Sequence, residues 1–347
     1  MQTRHILPLT GIRLFAAIWV VLYHFPLIGM LCPFLRLLDP FFELGDKAVP
    51  FFFLLSGFIL SYNYFPNYSI AQHPKFLFLR FARLWPVHIA ALLLAVNPHG
   101  IHVKNGSLKL LVEESLMVRS WFHSGVALNA PAWNAPAWAV SAEWFAYICV
   151  FPLAFLLFKR IQCLPCLMII VMVFLAAQTS SVPATLFPGQ NVCGGIFFLF
   201  LAGSGLYQIR CFVRNPPAEA IVMCGIFFFL AYVLFNKSLS ILILYVSFAL
   251  LIFGLSYERG FLARILSTKI IVQGGLASYS LYMTHWLVIQ TFIFYSWPSW
   301  GRLPHLIFAR YAILLAMIGA FIGVTTVFYH YIEVPANRKL RRFFEQN

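Results

Sequence analysis

The residues of this chain best suited to chemistry are ionisable groups set inside or beside long apolar runs. Each such group costs on the order of 2.5–3.5 kcal/mol in a membrane span, so each is a functional lead. Arg13 and His24 stand eleven residues apart. Eleven helical steps return to within about 20° of the starting face, so both side chains point the same way, about 16 Å apart along the axis. A guanidinium suits phosphate, and an imidazole suits proton transfer. Arg80 and Arg83 are i,i+3 neighbours in the run Phe76–Pro86. One arginine near a span end can snorkel, whereas two at helical spacing read as an anion site. With Arg13 they place three guanidiniums at one membrane level, facing an anionic ligand from the cytoplasm. Glu143, His285 and Asp46 lie at mid-membrane or toward the outer side. A carboxylate there could orient an imidazole or stabilise its protonated form. Ser141, Tyr282 and His285 are candidate oxyanion donors, and spacing does not choose among them.

Other chemistries lack their parts. Ser56 sits in Leu-Leu-Ser-Gly-Phe rather than a G-x-S-x-G elbow. No G-x-x-x-x-G-K-[ST] loop and no H-E-x-x-H pair is present. His24 has Gly29, not Asp, five residues on, so soluble-type glycerolipid acyltransfer is not signalled. Cys163 and Cys166 have C-x-x-C spacing with no second pair to complete a metal site. No metal is expected.

The elements that must position these residues follow from composition. Of 347 residues, 62% are hydrophobic and 10% charged, against about 25% charged in a soluble domain. This excludes a soluble enzyme, a disordered chain and a disulfide-stapled module. About 20 apolar residues cross a bilayer core as helix. The reading is an all-α polytopic membrane protein, a single transmembrane domain over 1–347. Its ten spans are 9–30, 48–65, 76–96, 137–158, 162–179, 193–209, 218–236, 238–256, 276–297 and 305–331. With both termini in the cytoplasm, 16 of the 24 Lys and Arg residues fall on the inner side and 8 on the outer, which fixes the orientation. The net charge of +14 then reflects short inner loops and anionic lipid rather than nucleic acid. The start of the chain reads as an uncleaved first span, since no A-x-A-like cleavage site follows it. One long outer loop, 97–136, carries an interfacial helix at Leu108–Phe122. A lid over an outward-facing site is the alternative for that segment.

In this order the segments resemble the acyltransferase 3 family of integral membrane acyltransferases, over nearly the whole chain. Leu9–Ala17 with His24 is similar to the opening Arg-x10-His motif, and Val49–Leu60 to the second-span Ser-Gly-Phe segment. Arg80-Phe-Ala-Arg83 with Pro86 matches the Arg-x-x-Arg start of span three. Trp138–Tyr147 resembles Trp-Ser-Leu-Ser-x-Glu-x-x-x-Tyr, with Ala139 where Ser is usual. Tyr279–Trp286 resembles the late Tyr-Ser-x-Tyr-x-x-His motif, and Tyr331–Pro335 the closing Ile-Glu-x-Pro. The resemblance implies a ten-helix core that moves an acyl group, usually acetyl, from cytoplasmic acyl-CoA to a hydroxyl of a sugar or glycolipid at the outer face. It implies His24 as catalytic histidine, and Arg13, Arg80 and Arg83 as contacts to the acetyl-CoA or other acyl-CoA donor. With about fifteen residues after the last span, a stand-alone form in a bacterial inner membrane is expected. Rival readings are a secondary transporter or flippase, and a non-catalytic scaffold.

Overall fold

Inside a bilayer every backbone N–H and C=O must be satisfied within the chain, which leaves helices and closed barrels. The computed structural model of the chain is helical, with no strand among the described residues. Those residues are 5–25, 33–96, 108–122, 132–160, 190–236, 238–293 and 307–346. The expected span at 162–179, the Cys163/Cys166 pair and much of the 97–136 loop lie outside them.

Helix α1 is Leu7–His24, α2 Ala48–Tyr64 and α3 His73–Ala95. Pro8 and Pro74 sit in the first turns of α1 and α3, where a missing N–H costs nothing. Two short helices follow, α4 Leu108–Ser115 and α5 Arg119–Phe122. Helix α6 Ala137–Phe145 runs through a π turn at Ala146–Val150 into α7 Phe151–Arg160. Then come α8 Gln190–Phe212, α9 Ala218–Phe235 and α10 Ile241–Leu255. The short α11 Phe261–Leu266 and α12 Lys269–Leu276 lead into α13 Ser278–Thr291. Helix α14 Ile307–Val327 passes through a second π turn, Phe328–Glu333, into α15 Val334–Gln346.

Seven helical stretches among the described residues are long and apolar enough to cross a membrane: Leu7–His24, Gly45–Asn67, Ile70–Ala95, Ala137–Lys159, Gly195–Phe212, Ala218–Phe235 and Tyr311–Leu340. Ile241–Leu255 is a shorter apolar helix of the same kind. Large side chains on α9 and α14 stay bare, including Phe227, Leu234, Leu315 and Ile322. On a soluble protein such stripes would be liabilities; here they are the lipid face.

Small residues set the spacing of the helices that carry the site. A Cβ at Gly57 would run into the Phe200 carbonyl, and one at Gly203 into that of Leu54, so α2 and α8 meet backbone to backbone. Gly275 and Gly11 do the same for α12 and α1 against Thr10 and Leu266. This is the small-residue packing that membrane helices use where hydrophobic burial gives no drive. It fixes α1, α2 and the lead-in to α13 around one interior space.

The segment expected as a surface helix is clamped down instead. Glu114 and Arg119 form a buried ion pair of 2.7 Å. His88 of α3 donates to the Glu114 carbonyl at 2.6 Å, and Ser120 donates to Ser141 at 2.8 Å. The Asn134 amide donates to the Met283 carbonyl at 3.0 Å, and the Tyr282 hydroxyl to that of Pro136 at 3.1 Å. A helix lying free in the interface would keep its charges in water. Here, of the charges, Lys109 alone stays exposed, Glu114 and Arg119 are buried, α4 and α5 pack on α3 and α6, and Asn134 and Pro136 reach α13.

Candidate active site

Three arginines meet where two cavities join. The first holds about 880 Å³ of empty space and is walled by α1, α2, α3, α6 and α13, with Arg13, Ser56, Arg80, Arg83, Glu143 and Tyr282 in its lining. The second, about 1140 Å³, continues toward the other end of the bundle. Arg13, Arg80 and Arg83 line both. The three guanidiniums predicted to share a membrane level line the same two cavities.

Their surroundings leave them open to a ligand. Arg80 is buried, donates from one terminal nitrogen to the Tyr64 hydroxyl at 2.7 Å, and lies over the Tyr64 and Phe76 rings. Its Nε has no partner among the described residues. Arg13 and Arg83 form no ion pair or side-chain hydrogen bond there. A buried donor without an acceptor is costly, so an anion would relieve Arg80 Nε and could bridge to the half-buried Arg13 and Arg83 beside it.

Glu143 lines the same chamber on the arginine side. Its Oε1 accepts from Ser56 at 3.3 Å and from the Tyr147 hydroxyl. Tyr147 is one helical turn on and belongs to the π turn that begins at Ala146. That turn is itself braced: His73 donates through Nε2 to the Ile148 carbonyl and accepts the Tyr68 hydroxyl at Nδ1.

At the far end of α1 the partner of His24 is another imidazole. His24 Nδ1 lies 3.3 Å from His285 Nε2 and 3.0 Å from the Val20 carbonyl. His285 Nδ1 lies 2.6 Å from the Tyr282 carbonyl. Carbonyls only accept, so each Nδ1 carries the proton. His285 Nε2 is then bare and accepts from His24 Nδ1–H, which it shares with Val20. The consequence is a lone pair on His24 Nε2, the state a general base needs. The ring is held further by Tyr23 and Trp286, both edge-on.

Asp46 pairs with Lys47 at 2.6 Å rather than with His24. Ser141 accepts Ser120 N–H and O–H, so it anchors the outer cap and not the chamber. Tyr282 does line the chamber, and its ring centroid is 5.7 Å from that of His285. Neither cavity is lined by His24 or His285; the chamber wall ends at Tyr282, one turn short of them. Sequence reasoning gave no role to Ser56, Tyr64, Tyr147 or Glu333. Tyr147 stands four residues after Glu143, the spacing of facing helix neighbours, and could have been found that way.

The comparisons with known proteins bear on what this arrangement does. The profile of an acyltransferase domain, that of the acyltransferase 3 family, matches residues 7–330. The chain belongs to the acyltransferase 3 family. It is 32% identical over 130 residues to the acyltransferase MdmB of Streptomyces mycarofaciens, a match covering 34% of this chain and 30% of that protein. No solved structure matches the chain. The family is one of acyltransferases, and acyl transfer is the chemistry to weigh against this cavity and these imidazoles. The described residues contain no cluster of His, Cys, Asp and Glu that could hold a metal ion.

Proposed function

We propose that the protein is a membrane O-acyltransferase that moves an acyl group, acetyl in the first instance, from cytoplasmic acyl-CoA to a hydroxyl of a cell-surface carbohydrate or glycolipid. The observation that carries this reading is the cavity itself: unpaired guanidiniums where its two parts join, and an imidazole pair just beyond one end. The rise of α1 from Arg13 to His24, about 16 Å, suits an extended pantetheine arm with its phosphates on the arginines. Membrane thickness alone would not demand that match.

In the proposed step the acceptor hydroxyl gives its proton to His24 Nε2 while its oxygen attacks the thioester carbonyl. The tetrahedral intermediate collapses as the C–S bond breaks, and the leaving sulfur takes the proton from His24. Tyr282, the polar group at the top of the chamber, is the favoured oxyanion donor once its hydroxyl leaves Pro136. Ser141 is less suited because its hydroxyl is engaged by Ser120. Glu143 lies with the arginines, so its part is to balance their charge and hold the donor arm. His285 holds His24 in its tautomer. The charge bias supports a cytoplasmic arginine end and cytoplasmic termini, and family membership with the net charge of +14 supports a bacterial inner membrane.

Calorimetric titration of the purified protein with acetyl-CoA tests the donor site. Saturable binding is expected, weakened at least tenfold in Arg80→Ala. Absence of binding by folded protein, for acetyl-CoA and a longer acyl-CoA alike, overturns the reading in favour of a transporter.

A further inference from the structure

The second cavity is larger than the arginine junction needs and carries a fourth guanidinium. Its wall includes Arg338 and Asn337 of α15, Asn63 at the end of α2, and Tyr329 and Glu333 of the second π turn. Arg338 forms no ion pair or side-chain hydrogen bond among the described residues. The tail also holds Lys339 and Arg342, yet Arg338 is the described tail cation that lines the cavity. General attraction to anionic lipid would not single out one position of an amphipathic helix. The cavity wall follows the second π turn into α15, with Tyr329, Glu333, Val334, Asn337 and Arg338 in its lining.

Four guanidiniums then face two carboxylates, Glu143 and Glu333, across the joined space. Each carboxylate also accepts a serine hydroxyl, Glu143 from Ser56 and Glu333 from Ser280 at 2.5 Å. The positive charge left over is set in two places rather than one, at the arginine junction and at Arg338. We infer that Arg338 is a second anion subsite, which reads the ribose 3′-phosphate of a nucleotide-borne thioester and so selects coenzyme A over donors that lack that phosphate. This rests on the donor reading above, and it adds the residue that distinguishes coenzyme A from dephospho-coenzyme A or a bare acyl-pantetheine.

The test compares acetyl-CoA with acetyl-dephospho-CoA on wild type and Arg338→Ala in detergent, by calorimetry and by steady-state transfer. Wild type should bind the dephospho donor about tenfold more weakly. Arg338→Ala should lose about tenfold toward acetyl-CoA, lose little toward the dephospho donor, and keep kcat at saturation. That unchanged dephospho affinity also shows that the variant is folded. Equal wild-type affinity for both donors, or an Arg338→Ala loss equal for both, overturns the subsite while leaving the donor site intact. Failure of wild type to bind either donor overturns the underlying reading as well. Competition by vesicles of anionic phospholipid that is lost in Arg338→Ala, with no donor discrimination, would assign the residue to lipid instead.

Discussion

A single nitrogen, Nε2 of His24, carries the proposed chemistry, and its lone pair follows from an Nδ1 proton shared between the Val20 carbonyl and His285, 261 positions away. His24→Ala should reduce kcat by roughly 10²–10⁴-fold, the usual worth of a positioned base, with donor affinity unchanged. Steady-state transfer beside donor calorimetry separates the two, and full activity in this variant would sink the assignment. His285 acts through His24, so its removal should look different. His285→Ala frees the His24 ring to rotate and change tautomer, which should lower kcat by roughly 10–10³-fold with the donor KM unmoved. His285→Gln restores an acceptor for the Nδ1 proton and should recover part of the loss. If the glutamine variant is no better than alanine, the hydrogen bond is not what His285 supplies. The sequence offered both histidines as mid-span ionisable groups but could not pair them, because helical periodicity relates residues of one helix only. The same limit hid the Ser56 and Glu143 contact, while Arg80 and Arg83 were legible because their relation is local.

At the level of elements, the outer cap shows what hydropathy misses. The run Leu108–Phe122 mixes charge and apolar residues as an interfacial helix does; Lys109 stays exposed, while Glu114 and Arg119 are buried against each other and the Glu114 carbonyl is tied to His88 of α3. Burial raises the Glu114 carboxyl to about 7, against lowering by Arg119 and by the backbone N–H groups of Asn134 and Trp133. A carboxyl whose folded pKa exceeds its ordinary value binds its proton more tightly when folded. Its contribution to stability is therefore fully present below about 4.5 and is lost as pH rises through about 7. The thermal midpoint in detergent should fall between pH 5 and pH 8, and Glu114→Gln should flatten that fall. A wild-type midpoint that rises over the same window would contradict the burial argument. The glycine contacts between α2 and α8 give a second prediction at this scale. Gly57→Val forces the helices apart and should cost about 1–3 kcal/mol. Gly319, with nothing near its Cβ position, should accept valine with little change in the same melt. Equal losses at both sites would mean that close approach is not what Gly57 provides. The glycines were visible in the sequence, but their partners on another helix were not.

Taken whole, the molecule is a polarised object, with guanidiniums at one end of the joined cavity and imidazoles toward the other. Its class was legible from composition, because a bilayer tolerates few charges and spans need a fixed length. Each of the seven long apolar helices overlaps a segment drawn as a span, though Ile70–Ala95 starts six residues early and Tyr311–Leu340 ends nine late, and the π turns at Ala146–Val150 and Phe328–Glu333 leave no mark in hydropathy. Orientation matters more to function than the number of crossings. The bias of 16 Lys and Arg against 8 should hold the arginine end in the cytoplasm, since positively charged loops resist translocation. A fluorescent protein fused after Asn347 should then be bright in cells, and a phosphatase that matures only outside the membrane should be inactive at the same position. The reverse pattern would place Arg13, Arg80 and Arg83 outside, where a nucleotide-borne thioester is not supplied. It would leave the cavity intact and its chemistry stranded, and the proposed donor would fall with the topology. A cytoplasmic terminus, by contrast, puts the two substrates on opposite faces. The hydroxyl and the thioester then meet only through the protein, and the imidazole pair lies on the acceptor's side of that meeting point.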